Sequence, residues 1–183
     1  MLIRKSFYFI RHGETDHNAK ASCAGGKTDV PLNSKGIEQA TLLQDHLKTH
    51  QFGAIFSSPM KRAVETAFLA TNQTPKISVD LREWELGDFE ETPADIFLKH
   101  IRDLPFHIPL PNGESREVFF SRSHGALNAI LKTWETPLIV AHGGTYWAIL
   151  HAFQLPYQHI ENATCLHFDW KDTLTIKTVG LEI

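Results

Sequence analysis

Phe7-Tyr8-Phe9-Ile10 runs directly into Arg11-His12-Gly13-Glu14-Thr15, and this junction decides the fold class. An unbroken aromatic and apolar run ahead of a turn residue reads as a strand buried on both faces, here Ser6 to Ile10. A strand that ends in Arg-His-Gly sets a cation and an imidazole at its carboxyl end, the edge of an α/β sheet where ligands sit. Gly13 lets the backbone turn sharply there and leaves room for a ligand. Arg11 offers planar, paired donors suited to phosphate oxygens, and His12 as a neutral imidazole near pH 7 is a nucleophile. For an isolated Arg-His pair, a buried ion-pairing arginine beside a core histidine would be the better explanation. The rest of the chain separates the two.

The 183 residues suit one domain over 1–183, large enough for a substantial core. A hydrophobic content of 42% with 21% charged residues excludes a disordered or fibrous chain. The net charge of -3 argues against a nucleic-acid partner, which calls for a basic protein. No apolar stretch reaches membrane-spanning length, and Met1-Leu2-Ile3-Arg4-Lys5 lacks the architecture of a signal peptide. Cys23 and Cys165 lie far apart and form neither a disulfide framework nor a zinc-binding spacing. Together these features predict a cytoplasmic protein with no membrane association; they leave the oligomeric state open. Asn72-Gln73-Thr74 and Asn162-Ala163-Thr164 fit the glycosylation pattern, and without a secretory signal both are read as chance.

Outward from the first strand, Gly25, Gly26, Asp29 and Pro31 mark Cys23 to Leu32 as a loop. Asn33 is a plausible cap for a helix from Ser34 to Lys48, with Ile37, Ala40, Leu43 and Leu47 on one face. Ala54 to Ser57 is a short second strand, followed by a helix from Pro59, a residue suited to a first turn, to Ala70. Ile77 to Val79 is strand-like. Leu86 to Pro111 is irregular apart from a short helix at Ala94 to Ile101, and Glu114 or Ser115 opens a helix through Leu131. Pro137 to Ala141 is a further buried strand, with a helix from Gly144 to Phe153 after it. Cys165 to Trp170 and Leu174 to Val179 close the chain as paired strands. Strands alternating with helices predict a doubly wound α/β fold, a largely parallel sheet flanked by helices.

Three strand ends carry related chemistry. The first holds Arg11 and His12. The second runs into Ser57-Ser58-Pro59-Met60-Lys61-Arg62, with Arg62 in the first turn of a helix, where free N–H groups favour an anion. The third is Ala141-His142-Gly143-Gly144, a histidine followed by a glycine-led helix start. Two arginines and two histidines at one sheet edge make a phosphate-sized cationic pocket. His46 and His50 share a helical face but lack a third ligand, so they read as a solvated helix end and no metal site is expected.

With these residues in place, the chain resembles the histidine phosphatase superfamily, also called phosphoglycerate mutase-like. The matching blocks are Arg11 to Thr15 with Asn18, Asp29 to Leu32, Gly36 with Gln39-Ala40, Ser57 through Arg62 to Ala67, Leu81-Arg82-Glu83, Gly87 to Glu90, Pro111 to Ser115, and Val140 to Gly144. The resemblance implies a doubly wound α/β fold and a metal-independent phosphomonoesterase that needs no cofactor and acts on a phosphorylated small molecule. It implies His12 as the transiently phosphorylated nucleophile. Arg11, Arg62 and His142 become the groups that bind and stabilise the phosphoryl group, Asn18 and Gly143 further phosphate contacts, and Glu83 the acid and then the base. Such a Glu83 needs a raised pKa, from partial burial or from Trp84 beside it. Trp84 and Tyr146 become candidates to touch substrate. Glu14 and Glu65 are assigned to structural pairing, with nearby arginines as partners.

The chain departs from the family pattern at three places. Ala24 precedes Gly25-Gly26 where a hydroxyl residue or Gln is usual, Glu91 replaces the glycine of a Glu-Gly pair, and Thr145-Tyr146-Trp147 lacks a following arginine. The Glu91 to Pro111 cover is short, and its cations are Lys99, Arg102 and His100. These features favour hydrolysis over the alternative, a cofactor-dependent phosphoglycerate mutase. A non-catalytic phosphate-binding module ranks below both, since none of the five catalytic positions is missing.

Overall fold

A computed structural model describes residues 2–180; Met1 and residues 181–183 of the predicted unit lie outside the described residues. Six strands form one sheet in the order β3-β2-β4-β1-β5-β6. They are β1 (Phe7–Arg11), β2 (Ile55–Ser57), β3 (Lys76–Ile77), β4 (Leu138–Ala141), β5 (Cys165–Trp170) and β6 (Leu174–Val179). The first four are mutually parallel, whereas β5 runs antiparallel to β1, and β6 to β5. The helices are α1 (Asp16–Ala19), α2 (Ser34–Leu47), α3 (Lys61–Thr71), α4 (Ala94–Arg102), α5 (Arg116–Thr133) and α6 (Gly143–Ala152). The chain thus has the predicted α/β architecture, with an antiparallel edge on a parallel sheet.

The two-residue period of a strand sorts the central side chains onto opposite faces. Phe7 and Phe9 of β1 join Ile139 and Ala141 of β4 in one core, which Leu127, Ile130 and Leu131 of α5 and Ile149 of α6 complete. Tyr8, Ile10, Leu138 and Val140 point the other way, into a second core with Leu43 and Leu47 of α2 and Ala63, Ala67 and Ala70 of α3. Small alanines on α3 let that helix lie close to the sheet. A third core, built from Trp84, Leu86, Phe97, Ile101, Phe119 and Phe120, lies under α4 and the connections beside it.

Several boundaries differ from expectation for local reasons. Ile37 is 47% exposed, and the buried stripe of α2 is Gly36, Ala40, Leu43 and Leu47. Gly36 turns inward because a Cβ there would stand 2.1 Å from the Glu14 carbonyl oxygen. That contact presses the α2 start, capped by Asn33, onto the loop after β1. Helix α3 begins at Lys61, not Pro59: Met60 is extended, with its N–H held by the Ser58 hydroxyl. Val79 leaves the predicted third strand for a 3-10 turn. The one-turn helix α1 was not anticipated; Thr15 and Asn18 form a capping box around it.

Candidate active site

The parallel pairing of β1 with β4 brings Arg11 opposite Ala141, so the residues after both strands emerge side by side. His12 and His142 are both buried, with ring centroids 5.2 Å apart and planes tilted edge to face. The His12 Nδ1–H donates to its neighbour's carbonyl, Gly13 O, at 2.7 Å. That bond fixes the tautomer and leaves the lone pair on Nε2. Burial, then the charges of Arg62 and Arg11, push the His12 pKa well below the usual histidine range, so the ring is neutral at neutral pH. The surrounding backbone is clamped. Gly13 N donates to Thr66 Oγ1, and Asn162 Nδ2 donates to the carbonyls of His12 and Gly13.

Two arginines approach from different directions. Arg62 is wholly buried; its Nη1 donates to Thr28 O and its Nη2 to Ala24 O and Gly25 O. Arg11 donates through Nη1 to Ile160 O, and a Cβ on Gly143 would lie 3.8 Å from its Nε. The Nε atoms of both arginines and Nδ1 of His142 are buried without a hydrogen-bond partner. Buried donors are rarely left unpaired in proteins, so three around one histidine mark a place built for acceptor oxygens. Burial lowers the pKa of both arginines, and the negative charge of Glu83 opposes that shift. Burial also holds His142 well below its ordinary value.

Asn18 sits beside the cavity mouth with Oδ1 already accepting from Thr15 N, Thr15 Oγ1 and Asn162 Nδ2. Its amide Nδ2 is therefore the group it can offer to a ligand. Gly143 opens α6, whose first N–H groups add positive potential at the same edge.

Glu83 is held from both ends: Oε1 accepts from Trp84 N at 2.8 Å and Oε2 from Gly144 N at 3.1 Å. Burial raises its pKa, and those two N–H bonds and the Arg62 charge only partly offset the rise. A carboxyl with a raised pKa can carry a proton to a leaving oxygen. A Cβ at position 144 would stand 2.2 Å from Glu83 Oε1 and 2.9 Å from the Phe119 ring, so any other side chain there would displace the carboxylate.

A cavity of about 560 Å³ opens beside Glu83, Asn18, Gly143 and Gly144. Its walls include Trp84, Phe97, Ile101, Trp147 and Tyr157. Tyr146, expected beside the site, instead lies in the core and stacks on Phe9, because the helical turn of α6 points its neighbour Trp147 to the cavity. Of the expected cover cations only Arg102 lines the cavity; His100 packs on Phe89, and Lys99 is not on the wall. Glu14 pairs with Lys35 and Asn33, and Glu65 accepts from Leu32 N, so neither acid takes an arginine partner.

Four supporting residues were not singled out from the sequence. Ser58 Oγ lies 2.7 Å from His142 Nε2. Asn162, set aside as a chance glycosylation triplet, ties the His12 loop to Asn18. Arg122 donates to the carbonyls of Asp80, Arg82 and Glu83 and pairs with Glu114, which fixes the backbone that carries Glu83. Glu90 accepts from Gly25 N, Lys27 N, Leu86 N and Thr28 Oγ1, and so pins the loop whose carbonyls hold Arg62. No short-range pattern flags such contacts, because each joins segments distant in the chain. Among the described residues, no cluster of three or more His, Cys, Asp or Glu is arranged to hold a metal ion.

Known proteins share this frame. The chain is 35% identical over 146 residues to the uncharacterized phosphatase PhoE of Bacillus subtilis (strain 168), covering 77% of this chain and 73% of that protein. Its fold is similar to a crystal structure of phosphoglycerate mutase from Thermus thermophilus, with a TM-score of 0.81, 27% identity, and coverage of 97% and 99% of the two chains. The profile of the histidine phosphatase superfamily (branch 1) matches residues 7–176, a span that begins with β1 and contains both histidines, both arginines and Glu83. A phosphatase or mutase site is what such a profile describes, and by that match the chain belongs to the histidine phosphatase superfamily.

Proposed function

We propose that the chain is a single-domain phosphomonoesterase that hydrolyses a phosphorylated small molecule through a phosphohistidine on His12. The observation that carries this reading is the set of three unpartnered buried donors, Arg11 Nε, Arg62 Nε and His142 Nδ1, around a histidine whose Nε2 lone pair is free. The name of the Bacillus subtilis relative supports hydrolysis as well.

In the first step His12 Nε2 attacks phosphorus as the ester P–O bond breaks, and the Glu83 carboxyl gives its proton to the leaving oxygen. In the second, Glu83 carboxylate takes a proton from water, whose oxygen attacks phosphorus as the P–N bond breaks. Inorganic phosphate leaves and His12 regains its lone pair. The His12 Nδ1–H bond to Gly13 O stabilises the charge that the ring carries while phosphorylated. Arg11, Arg62, His142 and the α6 N-terminus stabilise the oxygens of the transferring group without reorganising, and removal of one such donor costs about 3–4 kcal/mol of the barrier. The chemistry calls on no metal or other cofactor. Two buried thiols, Cys23 and Cys165, the latter pushed up to about 12 by burial, fit a reducing cytoplasmic setting. No helix among the described residues is long and apolar enough to cross a membrane.

Rapid quenching with labelled substrate tests the mechanism. Label is expected on the wild-type protein in an acid-labile, alkali-stable bond, and His12→Ala is expected to lose both label and turnover while remaining folded. Full activity in His12→Ala would overturn it. Incubation with 3-phosphoglycerate, with and without a bisphosphoglycerate primer, separates hydrolysis from phosphoryl return. Primer-dependent 2-phosphoglycerate with negligible free phosphate would make the enzyme a mutase.

A further inference from the structure

We infer that the preferred substrate is a phosphate monoester of an aromatic or bulky apolar alcohol. The inference rests on the phosphatase reading above and adds the chemistry of the leaving group. Glu83, the proton donor to the leaving oxygen, stands on the wall of the 560 Å³ cavity, whereas His12, Arg11 and Arg62 do not line it. The phosphoryl group therefore belongs at the edge of the cavity marked by Asn18 and Gly143, and the alcohol within it.

The cavity is walled by Trp84, Leu86, Phe97, Ile101, Trp147 and Tyr157. The aromatic walls are braced in fixed orientations. Trp84 stacks on Phe119 with planes 4° apart and donates Nε1–H to Glu114 O, and Trp147 meets both Trp84 and Tyr157 at centroid distances of 6.3 and 5.8 Å. Rigid π faces of this kind suit a flat or bulky apolar body.

Two cations, Arg116 and Arg102, border the same space. Arg116 lines the cavity, but its Nη2 donates to the carbonyls of Ile101 and Leu104 and its guanidinium lies over Phe106 and Trp147, at 5.7 and 5.5 Å. It works as a strut that holds α4 and Trp147, while its buried Nε is left without a hydrogen-bond partner. Arg102 is exposed at the mouth. The rigid aromatic wall beside Glu83 gives an apolar alcohol its binding surface.

The test compares ethyl phosphate, 2-phenylethyl phosphate and 3-phosphoglycerate, assayed for released phosphate; the first two leave as primary alcohols of similar acidity. kcat/KM for 2-phenylethyl phosphate is expected to exceed that of ethyl phosphate by about 50-fold, since even one methylene in an apolar pocket is worth roughly tenfold or more. Trp147→Ala and, independently, the exposed Tyr157→Ala are each expected to shrink that ratio by about fivefold or more. Equal kcat/KM for the two esters, a ratio unmoved by both variants, or a higher kcat/KM for 3-phosphoglycerate would overturn the inference, while phosphohistidine trapped from ethyl phosphate would leave the phosphatase mechanism standing. Absence of both turnover and phosphoenzyme with every ester would overturn the two together.

Discussion

The Ser58 hydroxyl lies 2.7 Å from Nε2 of His142, and both side chains are fully buried. Met60 N donates to the same hydroxyl oxygen, at 3.3 Å, and among the described residues the hydroxyl proton has no acceptor other than His142 Nε2. His142 then carries its own proton on Nδ1, the atom without a partner. Ser58 thereby sets the tautomer in which a neutral histidine serves as the phosphate donor of the proposed mechanism. Ser58→Ala removes that control and leaves Nε2 unpaired, a change worth about 1–3 kcal/mol, so kcat/KM is expected to fall roughly tenfold or more with the fold retained. Steady-state kinetics beside a thermal melt measure both, and an unchanged rate would contradict the assignment.

Acidity follows from the same burial. In the proposed mechanism His12 must be neutral to attack, and its lowered pKa keeps it neutral below 6.5, so the acid limb of kcat/KM is expected well below the ordinary histidine value. Glu83 must be protonated to donate, and its raised pKa places the basic limb above 4.5. The optimum lies between those two limbs. Glu83→Gln is expected to be much slower and to lack the limb that belongs to the carboxyl, a comparison in which ionisation of the ester itself cancels. Stability runs oppositely for the histidines: below 6.5 the unfolded chain binds protons that buried His12 and His142 refuse. The melting temperature is therefore expected to fall as pH drops from about 7.5 to about 5.

Glu90 acts at a distance. Its two oxygens accept four donors from the 25–28 loop and Leu86, and that loop supplies the carbonyls that hold Arg62. Glu90→Gln turns an amide donor toward that cluster of donors. A loss of about 1–3 kcal/mol in stability is expected, with a raised KM as Arg62 loses its brace. Denaturant melts with and without inorganic phosphate report the two effects, and a variant that keeps the wild-type stabilisation by phosphate would show that the loop does not act on Arg62.

Glu91 has φ of 63°, a left-handed backbone that favours glycine. Its only ion-pair contact among the described residues is His17 at 3.9 Å, with the Glu91 side chain largely exposed, and is worth little. Glu91→Gly is therefore expected to stabilise the protein by about 1 kcal/mol through relief of the side-chain clash. A shift of the urea midpoint toward lower concentration would refute this.

What the sequence revealed was whatever short windows can carry. The buried run before Arg11 and the alternation of strands with helices sufficed for the sheet, and the three strand-end motifs sufficed to bring His12, Arg62 and His142 to one edge. Ile37 misled because an apolar residue at helical spacing was weighed above Gly36, whose burial is set by a loop across the packing. Tyr146 and Trp147 are adjacent in sequence, and only the rotation of α6 decides which one faces the cavity. Arg122, Asn162 and Glu90 depend on partners brought together by tertiary structure, which no local pattern contains.

The pairing of β1 has a consequence in time. Strand β1 sits between β4 and β5, and its partners, such as Leu138 for Tyr8 and Phe168 for Phe7, are synthesised long after it. Until then a ribbon of Phe-Tyr-Phe-Ile has neither edge satisfied, the kind of segment that recruits other chains into aggregates. An open reading frame truncated before β4 would produce a sticky fragment with a histidine and no site. The cluster of His12, Arg62 and His142 therefore cannot assemble until β4 has been made, and it then assembles as a whole.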